Sequence, residues 1–319
     1  MTELAGSTAN AHESPNRTDP HRAHPLLPLC FRVGAAMLFA TLLTLVKLAG
    51  ELGIALPEIM FWRQFVTIPL LLAYLAFTHG LHRLRTNRLR SHAGRAAVGM
   101  TNMIFNFGAA LLLPLAEATT LGFTTPLFAV LLAALVWRER IGPWRWSAVV
   151  LGFAGVLVIA QPSGEPVSVM GAAAGLTAAF MIAVINYQIR DLARTEEPIS
   201  IAFYFALFGA PMAGLALPFF GSGHTATEWL VLLAIGTVGT LAQVLLAASL
   251  RQGAVASVIS MDYTALVWAT VYGWLFWHRV PPTQTWLGAP LIVGAGLLIA
   301  WREHRLARAP SAKSTSELE

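Results

Sequence analysis

The chain has 319 residues, of which 56% are hydrophobic and only 12% are charged, and its formal net charge is +5. A soluble domain has about 45–50% apolar and about 25% charged residues. This composition therefore excludes an ordinary water-soluble fold and predicts a protein whose solvent is the lipid bilayer. A helix that crosses a bilayer needs about 20 apolar residues, so the length allows roughly ten such helices. The single cysteine, Cys30, excludes an internal disulfide bond.

The N-terminal segment, residues 1–28, is polar and rich in proline, histidine, serine and threonine. It lacks the short basic stretch followed by an apolar run that is typical of a signal peptide, and its composition predicts a disordered cytoplasmic tail. The last residues, 302–319, have a similar polar composition and are predicted to form a second cytoplasmic tail.

Ten apolar runs lie between the two tails, each bounded by turn residues or charges. They span residues 29–50, 58–79, 95–114, 117–137, 143–160, 169–190, 199–219, 228–250, 254–277 and 283–301. All ten are predicted to be helices, because an open sheet would leave backbone groups without hydrogen bonds in lipid.

The positions of the basic residues predict the orientation in the membrane. With the N-terminus in the cytoplasm, all but three of the 21 lysines and arginines lie on the cytoplasmic side. The exceptions are Lys47 and Arg63, inside predicted helices, and Arg279 on the opposite side. Cytoplasmic loops carry an excess of lysine and arginine, so we predict a protein of the cell inner membrane with both termini cytoplasmic. Because these residues flank apolar runs, they do not indicate a nucleic-acid partner.

The sequence contains an internal repeat. The stretch Leu135–Pro143 (LVWRERIGP) has a counterpart about 139 residues later in Leu275–Pro282 (LFWHRVPP), and each is followed by a glycine-bearing apolar run. Each half then contains five helices, an odd number, so the second half must be inverted relative to the first. We predict an all-α membrane fold of ten transmembrane helices in two inverted five-helix repeats, residues 29–160 and 169–301. Inverted repeats around a midplane site recur in transporters.

Three charged residues inside predicted helices are candidate functional residues, since a charge at the centre of a membrane helix costs about 2.5–3.5 kcal/mol or more. Lys47 and Arg63 are predicted at similar depth near the periplasmic side. They form a cationic rim for a carboxylate or phosphate, or an ion pair with Glu117 that fixes helix packing. Asp262 is predicted about 14 Å from the cytoplasmic end of its helix, near the midplane. It serves proton coupling or binds a substrate ammonium group, or it is a hydrogen-bonded packing carboxylate.

Uncharged polar residues recur at helical spacing. Asn102 and Asn106 share one predicted helix face, and Glu117, Thr120 and Thr124 share another. Such faces form hydrogen bonds between helices as often as they line a cavity, so both interpretations stay open. The candidate substrate-binding residues are Asp262, Arg63, Lys47, Asn106, Thr120, Thr124, Gln243 and two aromatic residues that are candidates for stacking on a flat substrate, Tyr263 and Trp268.

Several of these residues belong to stretches that resemble a known family. Leu115–Phe128 (LAEATTLGFTTPLF), with the following Trp137–Ile141 (WRERI), resembles the repeat of the EamA-type drug/metabolite transporters. A second copy resembles the family through Met261–Ala269 (MDYTALVWA), and Arg63 matches its usual arginine in the second helix. The second half departs from the family in having His278 where glutamate is usual. The resemblance implies a transporter, since members export amino acids and other metabolites or take up riboflavin or S-adenosylmethionine.

We therefore predict a secondary transporter for a small polar or zwitterionic metabolite, in the first place an exporter of amino acids or related metabolites. The alternatives are an uptake transporter for a vitamin or nucleoside-like compound such as riboflavin or S-adenosylmethionine, and a channel or lipid-handling membrane protein. The sequences GxxxxGK, HExxH and GxSxG are absent, so no ATP hydrolysis, enzyme activity, metal or cofactor is expected. The predicted partners are a small-molecule substrate and the lipid bilayer, and the oligomeric state stays open.

Overall fold

The computed structural model describes residues 27–136, 138, 142–159, 168–252 and 260–308, and every regular element within these ranges is helical. The helices are α1 (Leu27–Glu51), α2 (Leu56–Phe77), α3 (Leu89–Leu112), α4 (Leu115–Gly122), α5 (Thr125–Leu135), α6 (Pro143–Ile159), α7 (Val169–Leu192), α8 (Pro198–Gly214), the single turn α9 (Leu217–Phe220), α10 (Ala226–Gln252), α11 (Thr264–Trp277) and α12 (Thr283–Arg308). Two 3-10 turns, Leu81–Leu84 and Ser260–Tyr263, precede α3 and α11.

Six segments of the described chain are long and apolar enough to cross a membrane. They are Leu29–Glu51, Leu56–Phe77, Leu115–Leu135, Val169–Leu192, Ala226–Leu246 and Thr283–Trp301. α6 and α8 are apolar but shorter. α3 has 24 residues but carries Arg90, His92 and Arg95 in its first two turns, which lowers its hydropathy. These helices make the chain a multi-pass, all-helical membrane protein.

The fourth predicted helix, residues 117–137, is divided into α4 and α5. Pro126 stands in the first turn of α5 and, having no backbone N–H, interrupts the ladder of helical hydrogen bonds. Thr124, just before it, donates a hydrogen bond from its hydroxyl to the carbonyl of Leu121 at 2.6 Å. The two helices remain within one apolar segment.

Other predicted boundaries also shift. α1 begins at Leu27, within the predicted N-terminal tail, and α12 continues to Arg308, within the predicted C-terminal tail. The rest of both tails, residues 1–26 and 309–319, lies outside the described residues. So do residues 253–259, which include the predicted start of the ninth helix.

The helices pack in pairs that correspond between the two halves of the chain. α1 packs along α10 and α3 along α7, while α2 packs against α8 and α6 against α12. α1 also contacts α11, and α7 contacts α4 and α5. The helices α7, α8, α10 and α12 begin about 140 residues after α1, α2, α3 and α6. Since α7 corresponds to α1 and α3 corresponds to α10, the contact between α7 and α3 repeats the contact between α1 and α10.

Three clusters of buried apolar residues lie among the described helices: a small one between the end of α3, α4, α6 and α12, and two apolar cores. The larger lies between α1, α2, α3, α8 and α10 and includes the fully buried Val46, Ile59 and Leu232. The smaller lies mainly between α5, α6 and α12. The backbones of α6 and α12 approach closely here. A Cβ atom at Gly155 would lie only 2.8 Å from the carbonyl oxygen of Gly288, so only glycine fits at this contact. Most buried charges described below lie in or beside the larger core.

Candidate functional site

At one end of the bundle, the segment 81–88 between α2 and α3 contacts the segment 191–200 between α7 and α8. Thr86 donates a hydrogen bond to a carboxylate oxygen of Glu196 at 2.7 Å. A groove of about 810 Å³ opens between the two segments. We call it the basic groove, and its polar lining is Arg85, Thr86, Asn87, Arg88, Thr195 and Glu196.

A buried histidine extends the polar lining of this groove into the bundle. His92, in the first turn of α3, is 1% exposed. Its Nε2 atom lies 3.7 Å from a carboxylate oxygen of Glu196, and the centre of its ring lies 4.6 Å from that of Tyr204. Sequence reasoning missed His92, because the third helix was predicted to begin three residues after it.

Two buried arginines face one aromatic ring in the larger core. Arg63 of α2 is 5% exposed and Arg95 of α3 is 8% exposed. Their guanidinium carbons lie 5.8 and 4.4 Å from the centre of the Phe205 ring. Arg63 donates a hydrogen bond to Gln64 Oε1 at 2.6 Å, whereas Arg95 Nε and Nη1 are buried without a hydrogen-bond partner in the described residues. We call Arg63, Gln64, Arg95 and Phe205 the arginine cluster.

Glycines on three helices leave room for this cluster. A Cβ atom at Gly99 of α3 would lie 2.3 Å from Arg95 Nη1, and one at Gly209 of α8 would lie 2.6 Å from Gln64 Nε2. A Cβ atom at Gly239 of α10 would lie 3.4 Å from Arg63 Nε. Larger side chains at these positions would displace the polar groups of the cluster.

Lys47 is satisfied by backbone groups at the C-terminal end of α3. Its ammonium donates hydrogen bonds to the carbonyls of Ala110 at 3.1 Å and Leu113 at 2.8 Å. The last carbonyls of a helix have no partner within the helix, and a cation there also interacts favourably with the helix dipole. Lys47 therefore caps α3.

The sequence predicted that Lys47 and Arg63 lie at similar depth, but their charged groups lie at different depths in the structure. Lys47 contacts α3 near Ala110, whereas the Phe205 ring that Arg63 faces packs against Gly99, about 16 Å away along α3 at the helical rise. Lys47 interacts electrostatically with Glu51, Arg279 and Glu117. Arg63 interacts electrostatically with Arg95. The long side chain of Arg63 extends to Phe205, which takes its guanidinium away from the predicted rim.

Asp262 lies in the 3-10 turn before α11 and forms an ion pair with Arg32 of α1. Both carboxylate oxygens accept hydrogen bonds from the guanidinium. Arg32 is 8% exposed, whereas the Asp262 side chain is 41% exposed. Arg32 lies about 7.5 Å along α1 from Leu27, so the pair lies in the N-terminal third of α1, away from the midplane position that the sequence predicted. Arg32 had been counted as a cytoplasmic flanking charge.

The smaller polar candidates are placed in different parts of the bundle. Thr120 is fully buried and donates to the carbonyl of Ala116 at 2.7 Å, and Thr124 likewise uses its hydroxyl proton within its own segment. Asn106 is partly buried on α3. Gln243 of α10 lines a cavity of about 80 Å³ between α2, α8 and α10. The four residues do not line one common cavity in this structure.

The two aromatic candidates make packing contacts. The Tyr263 ring packs edge-on against Phe123, with ring centres 4.9 Å apart, and its hydroxyl occupies the space of a Cβ atom at Gly296. The Trp268 ring lies 6.3 Å from that of Tyr272 on the same helix. Neither position tests a stacking role toward a substrate.

A second buried histidine lies at the end of the bundle opposite the basic groove. His224, before α10, has a 1% exposed side chain. Its Nε2 atom lies 2.6 Å from Glu58 Oε1 of α2, and its Nδ1 atom lies 3.1 Å from Glu228 Oε2 of α10. Burial alone would lower the pKa of His224, but the hydrogen bonds and charges of Glu58 and Glu228 raise it above its ordinary value. No motif in the sequence marked this cluster.

Comparison with known sequences identifies the family to which this helical bundle belongs. The profile of the EamA-like transporter family matches residues 26–161 and 169–301. The chain belongs to the EamA-like transporter family. It is therefore a membrane transporter, as the resemblance of the sequence implied.

Several named relatives match most of the chain. It is 27% identical over 288 residues to a riboflavin transporter of Vibrio cholerae, a match that covers 89% of this chain and 96% of the relative. It is 32% identical over 275 residues to the pseudopaline exporter CntI of Pseudomonas aeruginosa, with coverage of 83% and 93%. It is 27% identical over 256 residues to an S-adenosylmethionine uptake transporter of Rickettsia bellii, with coverage of 78% and 84%.

The fold also has a counterpart among solved structures. One crystal structure matches with a TM-score of 0.60 and 23% sequence identity, over 88% of this chain and 98% of that chain. At this identity the likeness concerns the fold alone.

Proposed function

We propose that this EamA-like transporter is a secondary transporter of the inner membrane that exports a small polar or zwitterionic metabolite, such as an amino acid or a related compound. The observation that carries the proposal is the burial of two arginine side chains inside the bundle, in the arginine cluster. Charges at this depth are costly, and binding of a polar solute is a function that accounts for their presence. No enzymatic step is proposed.

The proposed architecture is ten transmembrane helices in two inverted repeats, residues 29–160 and 169–301. The corresponding contacts of the two halves support it, since α1 packs on α10 as α7 packs on α3. The offset of about 140 residues between corresponding helices also supports it. In such transporters the substrate site lies at the interface between the repeats, and the Arg32–Asp262 pair joins elements of both.

Among the candidate substrate-binding residues, Arg63 is the strongest, because its charge is buried and has no carboxylate partner among the described ion pairs. Asp262 follows it as a partly exposed carboxylate that is paired with Arg32. Lys47, Thr120 and Thr124 rank behind them, because backbone carbonyls already accept their protons. Further proposed residues of lower rank are Asn106, Gln243, Tyr263 and Trp268.

Export is favoured over uptake by the relative named as an exporter, which has 32% identity with this chain. Uptake of riboflavin or a similar compound is the second candidate, because a relative named as a riboflavin transporter is matched over 96% of its length. The two candidates differ in the direction of flux and in the solute.

A metabolite comparison between deletion and overexpressing cells tests the function. For an exporter, we expect one polar metabolite to accumulate inside the deletion cells and in the medium of the overexpressing cells. The reverse distribution would support uptake, and an unchanged metabolite profile would count against both.

Purified protein in proteoliposomes then distinguishes a carrier from a channel. We expect flux of the identified metabolite to saturate, and Arg63→Gln to weaken its apparent affinity by about tenfold for each 1.4 kcal/mol of binding free energy lost. Arg90→Gln, at an exposed position in the first turn of α3, is the matched control and should transport normally. Flux that never saturates would indicate a channel.

A further inference from the structure

We infer that Arg63 and Arg95 together bind one anionic group, a carboxylate or a phosphate, of the transported solute. The inference rests on the proposed transport function and adds Arg95 as a binding residue and an acidic group as a requirement for the substrate.

The first reason is that the cations of the cluster lack a counter-ion. The ion pairs of the described residues include neither Arg63 nor Arg95. Arg95 Nε and Nη1 are buried and without a hydrogen-bond partner in the same part of the chain. A buried charge normally has an oppositely charged or hydrogen-bonding partner, so an anion from outside the chain would complete the cluster.

The second reason is geometric. Both guanidinium carbons lie 5.8 Å or less from the centre of the Phe205 ring, which places the two cations in one region of the larger core. Two cations in one region repel each other, and an anion that binds both converts that repulsion into attraction. The planar fork of arginine matches the two oxygens of a carboxylate or phosphate. Gly99 and Gly239 give the two guanidinium groups room on α3 and α10, because a Cβ atom there would lie 2.3 Å from Arg95 Nη1 and 3.4 Å from Arg63 Nε.

The third reason is a line of polar groups that connects the cluster with the end of the bundle. Glu196 lines the basic groove, and His92 lies 3.7 Å from it. His92 is followed along α3 by Arg95, almost one helical turn later. Arg88 of the basic groove, His92 and Arg95 thus follow one another at the start of α3, from the end of the bundle to the arginine cluster.

Thermal unfolding of the full-length protein in detergent, with and without small anions, tests the inference. The probes are benzoate, its neutral analogue benzamide, inorganic phosphate, and sodium chloride at matched ionic strength. Because a ligand of the native state stabilises it, we expect benzoate or phosphate to raise the Tm, and benzamide and chloride to leave it unchanged. The more effective of the two anions identifies the acidic group. No effect of either anion would overturn the inference.

Variants without ligand distinguish a binding residue from a packing residue. Arg95→Met removes a buried charge that has no partner, so it should raise the Tm of the unliganded protein and abolish the rise with the anion. Arg83→Met is the control, because Arg83 lies outside the arginine cluster and is paired with Glu197. It should not raise the Tm of the unliganded protein, and it should leave the anion effect intact. A lower Tm for Arg95→Met, or an anion effect that survives it, would contradict the inference.

The two levels of the proposal fail separately. If the anion stabilises the wild-type protein but not Arg95→Met, while proteoliposomes show no flux, the binding site stands and the transport function is wrong. If saturable flux is found for a solute without an acidic group, and Arg95→Met transports it normally, transport stands and the anion site is wrong.

Discussion

The buried cations of this transporter differ in how they are satisfied. Lys47 donates to the last carbonyls of α3. Arg32 pairs with Asp262, although its Nη1 atom is buried without a hydrogen-bond partner in the described part of the chain, whereas Arg95 has unpartnered donors and no carboxylate partner among the described ion pairs. A cation paired with a carboxylate of the chain stabilises the fold, whereas one without such a carboxylate is available to an anionic ligand. Substitution of Arg95 is therefore expected to affect ligand binding, whereas substitution of Lys47 or Arg32 is expected to affect stability first.

The Arg32–Asp262 pair predicts coupled stability effects. Asp262→Asn leaves the buried Arg32 without its carboxylate, so we expect the protein to unfold at lower temperature. The loss should be less than the about 3–5 kcal/mol that follows from breaking a fully buried pair, because Asp262 is partly exposed and solvent screens its charge. Thermal unfolding in detergent measures the effect.

The double variant Arg32→Gln/Asp262→Asn serves as the control, since it removes both charges and should recover most of the lost stability. If it folds well but does not transport, Asp262 acts on the substrate or on protons as well as on packing. A double variant that is no more stable than Asp262→Asn would contradict the coupling, and one that transports normally would remove Asp262 from the candidate site.

At the scale of elements, His224 connects the start of α2 with the start of α10. It lies between Glu58 and Glu228, and its ring packs on Trp229 at 5.2 Å between ring centres. Trp229 in turn packs edge-on against Trp62 at 4.8 Å. The loop before α10 is therefore connected to α2 through His224, which contacts two carboxylates and a tryptophan ring.

This cluster predicts a pH dependence of stability. The pKa of His224 is raised in the folded state by its two carboxylate partners, which outweigh the opposite effect of burial. The resulting stabilisation is complete below the unfolded pKa of about 6.5 and is lost as the pH rises through the raised folded value. Compared with His224→Gln, the wild-type protein should have its largest Tm advantage near about pH 6 and little advantage at about pH 9.

His82, which is exposed before α3, provides the control for that measurement. His82→Gln should leave the profile of Tm against pH unchanged. A wild-type advantage over His224→Gln that is constant with pH would mean that His224 acts through packing alone.

The element scale also shows what the sequence could predict. The apolar runs and the turn residues between them predicted the positions of most helices, because a helix that crosses lipid needs a long apolar segment. The start of α3 was placed at Arg95, six residues too late, because hydropathy counts a basic residue near a boundary as a loop residue. Arg95 and His92 were therefore missed as buried groups. Pairing partners such as Arg32 and Asp262 are 230 residues apart, and without homologous sequences no local pattern connects them.

At the scale of the whole molecule, the corresponding contacts of the two halves suit an alternating-access mechanism. The larger core contains residues of α1, α2 and α3 from the first half and of α8 and α10 from the second, and α6 and α12 pack closely through glycines in the smaller one. Movement of one half relative to the other would change the contacts around the Arg32–Asp262 pair and the arginine cluster. Both charge sites are thus placed where such a movement would alter solvent access.

The orientation of the molecule gives the last prediction. The end with the basic groove carries Arg83, Arg85 and Arg88 together with Arg190 and Arg194, so we expect it to face the cytoplasm. Alkaline phosphatase is active only in the periplasm. A fusion after Asn87 should therefore be inactive and a fusion after Ser222 active.

Fusions to green fluorescent protein at the same two positions provide the control, because this protein fluoresces only when it folds in the cytoplasm. They should show the opposite pattern, with fluorescence after Asn87 and none after Ser222. The two segments are joined by α3 to α8 and the short α9. With five spans between them, as the ten-helix architecture requires, they must lie on opposite sides of the membrane. Activity on the same side at both positions would contradict that number of spans, and exchanged activities would reverse the orientation while leaving the fold intact.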